Sequence, residues 1–204
     1  MSPPAAISST PPPASNGVQK SSTKTTTTPP TLLPKTSGTD IPAWVQPDLK
    51  RLLRVERNPG DFASRSVSLV NLPAGSIFAR ISNPTPATVA YSSVQASRDL
   101  HIELNCDLLY INHSCRPKLV FDMQRWEVRV SSDGDLKEGD ELTFFYPSTE
   151  WHMSQPFECA CKEKVCRGKI SGAKDMDEKV LSEYWLNAHV EELLAEKANG
   201  KNGA

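Results

Sequence analysis

The stretch FECACKEKVCRG puts Cys159, Cys161 and Cys166 in the spacing C-x-C-x4-C, with Gly168 just behind them. Thiolates that share a tetrahedral zinc ion must each come within about 2.3 Å of one centre, so the chain between them has to reverse within a few residues. A closed structural site takes four ligands, and this cluster supplies three. Cys106 or Cys115 can supply the fourth. Neither spacing is the C-x-x-C of a redox pair. A four-sulfur shell leaves no open position for catalysis, so the expected ion holds structure.

The rest of the chain says where such a site would sit. Of residues 1–40, sixteen are Ser or Thr, eight are Pro and none is aromatic. That composition cannot bury enough apolar surface to offset its ordering entropy, and a disordered tail is expected there. About 160 residues remain, enough for one core. The net charge of −1 gives no overall electrostatic case for nucleic acid, and no run of 18 apolar residues indicates a membrane span. With no signal-peptide pattern at the start, an intracellular soluble protein, nuclear or cytoplasmic, is expected, its five cysteines reduced or metal-bound.

PDLKRLLRVERN (47–58) reads as a short helix between Pro47-Asp48 and Asn58-Pro59-Gly60. Short β-like runs follow at 66–70, 76–81, 87–94, 99–105, 108–112, 118–123, 126–131 and 141–147, most of them separated by turn residues. A short echo, NLPAGSIF against DLKEGDEL, predicts two similar turns feeding two strands. DEKVLSEYWLNAHVEELLAEKA (177–198) reads as one helix packed on its own domain, with Asp177 as N-cap, Gly200 as its end and His189 as a residue without special task. The expected architecture is mainly β with terminal helices.

Three motifs in order carry a resemblance. YINHSCRP, then LKEGDELTFFYP, then CACKEKVCRG resemble the N-H-S-C-x-P, G-x-E-L-T-(F/Y)-x-Y and post-SET C-x-C-x4-C motifs of the SET-domain protein lysine methyltransferases, over residues 62–173. The resemblance implies a β-clip of several short sheets with a threaded strand. It implies one structural zinc ion on Cys115, Cys159, Cys161 and Cys166, with Cys106 left as a core thiol. It also implies that Asn112 and His113 bind S-adenosylmethionine, and that Tyr146 orients methyl transfer to a lysine of a protein or peptide. Phe144, in step with Tyr146 along one strand face, would line the lysine channel, and Tyr110 stands where relatives carry Phe. The implied organisation is a tail (1–40), a helical lead-in (41–61), a SET-like domain (62–150), a zinc-binding tail (151–173) and a C-terminal helix with a frayed end (174–204).

The sequence departs from the family at three places. Ala63-Ser64-Arg65 stands where relatives carry a G-x-G turn whose bare backbone approaches the cofactor. Arg80-Ile81 occupies the place of an E-Y pair, and Lys118 replaces the Asn of N-H-S-C-x-P-N. An alternative reading is therefore a catalytically inactive, zinc-stabilised SET-like interaction module.

Overall fold

The computed structural model describes residues 49–57, 59–60 and 64–201. The expected disordered tail, Pro47, Asp48 and Ala63 lie outside them. The chain builds twelve short strands: β1 (Leu53–Glu56), β2 (Arg65–Ser68), β3 (Ile77–Arg80), β4 (Thr85–Ala87), β5 (Val94–Ser97), β6 (Leu100–Glu103), β7 (Asn112–His113), β8 (Leu119–Asp122), β9 (Glu127–Val130), β10 (Glu141–Phe144), β11 (Phe157–Glu158) and β12 (Lys169–Ile170). Two helices close it, α1 (Glu178–Leu181) and α2 (Ala188–Lys201). Mainly β architecture in several short sheets is what the sequence led us to expect. None of the helices is long and apolar enough to cross a membrane among the described residues.

The described strands form four sheets, ordered β1-β2-β10-β7, β3-β9-β8, β4-β6-β5 and β11-β12. The pairing that positions the site is β7 against β10, which is parallel, with Thr143 opposite Asn112 and Phe144 opposite His113. It brings the N-H-S-C segment alongside the E-L-T-F strand, two segments about thirty residues apart in sequence. Phe121, Ile81, Leu108, Ile111 and Leu142 are among the side chains buried at the centre of the main core. Phe145, Ala173, Leu181 and Val190 form a second core under the C-terminal helices.

The internal echo folds against itself. Leu72 and Leu136 exchange backbone hydrogen bonds of 3.0 and 2.9 Å as an isolated antiparallel bridge. The glycine of each turn, Gly75 at φ +75° and Gly139 at φ +87°, takes the left-handed conformation that side chains resist.

Five expected elements take a different form. The helix over 47–58 is a single 3-10 turn, Leu49–Arg51, followed by β1. Leu53 is buried and Arg54 exposed in alternation, and full antiparallel pairing with β2 outweighs the helical spacing of the leucines. The strand over 87–94 is mostly a turn: β4 ends at Ala87, and Tyr91 is 73 % exposed. Within LLYIN, Asp107–Tyr110 wind into a 3-10 helix, leaving β7 to start at Asn112. The E-L-T-F-F-Y strand stops at Phe144, and Tyr146 opens a 3-10 turn with Pro147 in it, so Tyr146 and Phe144 do not share a strand face.

The single C-terminal helix is broken in two. Asp177 does cap α1, accepting the Lys179 N–H at 2.8 Å. Between the helices, Asn187 is wholly buried, and its side chain accepts from Met123 N and donates to the carbonyls of Phe121 and Ser148, each at 2.9 Å. These bonds use both amide N–H donors and the amide oxygen, and hold the chain out of helix until Val190 and Glu191 can bond back to the Asn187 carbonyl. α2 then runs through Gly200 to Lys201. His189 is buried, where a surface or half-buried position was expected, with Nε2 2.8 Å from the Thr149 carbonyl.

Candidate active site and metal centre

β7 delivers Cys115 to the tail. The sulfurs of Cys115, Cys159, Cys161 and Cys166 all lie within 4.8 Å of one another, the one such cluster of possible metal ligands among the described residues. Cys115 Sγ is 3.8 Å from Cys159 Sγ. A tetrahedron with arms of about 2.3 Å has edges of about 3.8 Å, which is the Cys115–Cys159 separation, so four sulfurs gathered this closely fit a zinc ion as its donor set. Gly168, at φ +71°, makes the reversal, and its carbonyl accepts the Cys159 N–H at 2.8 Å. The Arg167 N–H points at Cys115 Sγ from 3.3 Å and the Cys161 N–H at Cys159 Sγ from 3.5 Å, as donors do toward thiolates. In the absence of a cation, burial pushes the Cys115 thiol up to about 11, a cost that a divalent ion reverses. Cys106 stands apart, half-buried against the main core, where burial raises its pKa.

The C-terminal segment clamps this centre. Tyr184 stacks on Phe145 with ring centroids 3.7 Å apart, and its hydroxyl donates to the Cys115 carbonyl at 2.8 Å. Arg167 reaches the Tyr184 hydroxyl at 3.3 Å and pairs with Glu183.

Beside the sulfurs opens a cleft of about 990 Å³, at the upper end of what small-molecule sites occupy. Asn112, His113, Phe144 and Tyr146 all line it, while Tyr110 does not. Tyr110 turns away to Arg57, whose guanidinium lies 5.0 Å from the ring centroid and donates to the hydroxyl at 3.4 Å.

Asn112 donates from Nδ2 to the Ser64 carbonyl at 2.8 Å. His113 is pinned on both nitrogens: Nδ1 accepts from the Tyr146 N–H at 3.3 Å, and Nε2 lies 3.4 Å from Cys115 Sγ. Burial drives its pKa down to about 4, so it is a neutral imidazole that joins the metal centre to the tyrosine. Tyr146 packs against His113, Phe144 and Phe157, with its hydroxyl donating to the Ile111 carbonyl at 3.4 Å. Burial first, and the charge of Glu150 second, push the phenol up to about 12. It stays a hydrogen-bond donor at any physiological pH. Phe144 stacks on Phe121 with centroids 4.2 Å apart, and is 5 % exposed.

The departures from the motifs have their own geometry. Arg65 pairs with Glu56 at 2.8 Å and Glu141 at 3.6 Å on the surface. Arg80 pairs with Glu127 at 3.0 Å, and Lys118 with Asp140 at 3.0 Å at the cleft wall. Glu150 also lines the cleft, and no sequence motif pointed to it. Its only signal was proximity: it follows Tyr146 by four positions, and one 3-10 turn brings its N–H back to the Tyr146 carbonyl at 3.0 Å.

The fold and cleft define a SET-type methyltransferase scaffold, and comparison with known proteins agrees. The SET domain family model matches residues 41–147. The match takes in the 41–61 lead-in, which the motifs left uncovered and which pairs into the first sheet through β1. The methyltransferase flvH of Aspergillus flavus is 52 % identical over 158 residues, 77 % of this chain and 89 % of its own. Histone-lysine N-methyltransferase ash1 of Drosophila melanogaster is 32 % identical over 75 residues, 34 % of this chain and 3 % of its own. Histone-lysine N-methyltransferase Set2 of the same organism is 36 % identical over 75 residues, with the same coverage. The chain belongs to the SET-domain family, whose class of activity is methyl transfer.

Proposed function

We propose that the protein methylates a lysine side chain of a protein, histone or otherwise, with S-adenosylmethionine as methyl donor. The observation that carries this reading is a single cleft lined by polar Asn112 and His113 and by the partly buried phenol of Tyr146, packed against His113, Phe144 and Phe157. The two ash1 and Set2 relatives named as histone-lysine methyltransferases favour a protein substrate. Nuclear or cytoplasmic placement fits such a substrate.

When bound, S-adenosylmethionine would supply an electrophilic sulfonium methyl to the amine lone pair, its sulfur keeping the C–S electron pair. Asn112 and His113 would hold its amino-acid and adenine parts, and Lys118 and Arg116 line the same cleft. The remaining task is to present a neutral amine in line with that methyl. A lysine with a pKa of about 10.4 loses about 5 kcal/mol when it deprotonates at pH 7, and a channel walled by Val94, Leu104, Leu108, Ile111 and Phe144 reduces that cost by disfavouring the ammonium. The Tyr146 hydroxyl and the Ile111 carbonyl then orient the amine. A zinc ion on the four sulfurs fixes the wall that carries Cys159 to Glu163. On this reading residues 62–150 are the catalytic core, 151–173 the metal-bound tail and 174–204 its clamp.

The test is transfer of tritiated methyl from S-adenosylmethionine to core histones and to an array of lysine peptides. Label on lysine, reduced at least about tenfold in Tyr146→Phe, is the expected result. No label from metal-replete protein would leave the inactive interaction module.

A further inference from the structure

Glu150 is a buried carboxyl that nothing in the motifs employs. It is 8 % exposed and lines the cleft together with Tyr146, Phe144, Ile111, Leu108 and Val94. Its Oε1 is anchored by the Gln95 N–H at 2.8 Å and the Thr149 hydroxyl at 3.1 Å. Oε2 lies 3.9 Å from Nδ1 of His101, an atom that is itself buried without a hydrogen-bond partner. A buried carboxylate fixed at one oxygen by two donors, and without a hydrogen bond to the other, can receive a proton.

We propose that Glu150, through its place in the cleft wall, is a catalytic residue whose carboxylate takes a proton from the substrate ammonium, freeing the amine lone pair for methyl transfer. The inference rests on the lysine-methylation reading and deepens it. The balance is simple: ammonium plus carboxylate give amine plus carboxylic acid, and the acid returns its proton to water after the methylated product leaves. Burial raises the Glu150 pKa to about 7, outweighing the two hydrogen bonds that lower it. A base poised there accepts a proton at neutral pH and releases it again. The titratable groups around it are compatible. β5 presents neutral Gln95, and β6 presents His101, whose pKa is lowered first by burial and then by His189. α2 presents His189, also lowered by burial and bonded to the Thr149 carbonyl. Tyr146 stays protonated.

The test compares wild type with Glu150→Gln and Glu150→Asp in two readouts. Glutamine keeps the Oε1 acceptor for Gln95 and can donate toward His101, so a merely structural role predicts little change. In an infrared pH titration of the full chain without substrate, a carboxyl band titrating near 7 is expected in wild type and absent in Glu150→Gln. With the best lysine peptide from the array, wild-type kcat/KM should rise with pH on a group of apparent pKa near 7. In Glu150→Gln that limb should vanish and kcat fall about 100-fold with KM changed less than about threefold, while Glu150→Asp regains part of the rate. An unchanged pH profile, or kcat within about twofold of wild type, overturns the role of Glu150 alone. A wild type that labels no lysine overturns this inference and the lysine reading together.

Discussion

Asn112 reaches back forty-eight residues to bond the Ser64 carbonyl from Nδ2 at 2.8 Å. Ser64 lies in the segment where relatives of the family carry a glycine turn, so the side chain of Asn112, itself in the cleft wall, is bonded to that segment. Asn112→Ala removes that bond. It should weaken S-adenosylmethionine binding at least about tenfold while lowering stability by only about 1 kcal/mol, as read by titration calorimetry and urea unfolding.

The four-sulfur centre predicts one zinc ion per chain by elemental analysis. Cys115→Ser should lose it, because a hydroxyl does not ionise to match a thiolate at neutral pH, whereas Cys106→Ser should keep it. Chelation should lower the melting temperature, since structural zinc contributes on the order of 10 kcal/mol in small sites. It should also expose the Tyr184–Cys115 contact that ties the segment after α1 to the end of β7.

Glu150 gives stability a pH dependence of known sign. Its folded pKa, about 7, lies above the ordinary carboxyl value of 4.5, so the folded state holds the proton more tightly. The group therefore costs nothing below pH 4.5, and its penalty grows as pH rises to about 7 and then stays. Glu150→Gln should be more stable than wild type by about 2 kcal/mol at pH 6 and about 3 kcal/mol at pH 8 in urea unfolding.

Asn187→Ala should cost about 3 kcal/mol in the same measurement, because it strands the Met123 N–H and the Phe121 carbonyl in the core, the Ser148 carbonyl keeping the backbone N–H of residue 187.

The sequence carried the site further than it carried the elements. Spacing alone grouped Cys159, Cys161 and Cys166, and the motif resemblance added Cys115; chain reversal at Gly168 is a local property, so it was legible. The strands over Leu119–Asp122 and Glu127–Val130 were legible for the same reason, with β-branched and aromatic residues alternating toward one core. What escaped was decided by distant partners. β1 is a strand because β2 lies beside it, and the C-terminal helix breaks because Asn187 finds three backbone groups from two other segments. Glu150 escaped because its meaning depends on burial against Gln95 and His101, fifty residues upstream and on another sheet. Tyr110 was named on its place in a motif, and the 3-10 turn at Asp107–Tyr110 rotates it out to Arg57.

The most direct measurement is calorimetric titration of the full, metal-replete chain with S-adenosylmethionine, metal content being read on the same sample. Binding of one cofactor per chain, weakened by Asn112→Ala and left intact by Tyr146→Phe, is predicted. A chain that carries its zinc ion and gives no heat of cofactor binding would contradict a methyl-transfer cleft at this site.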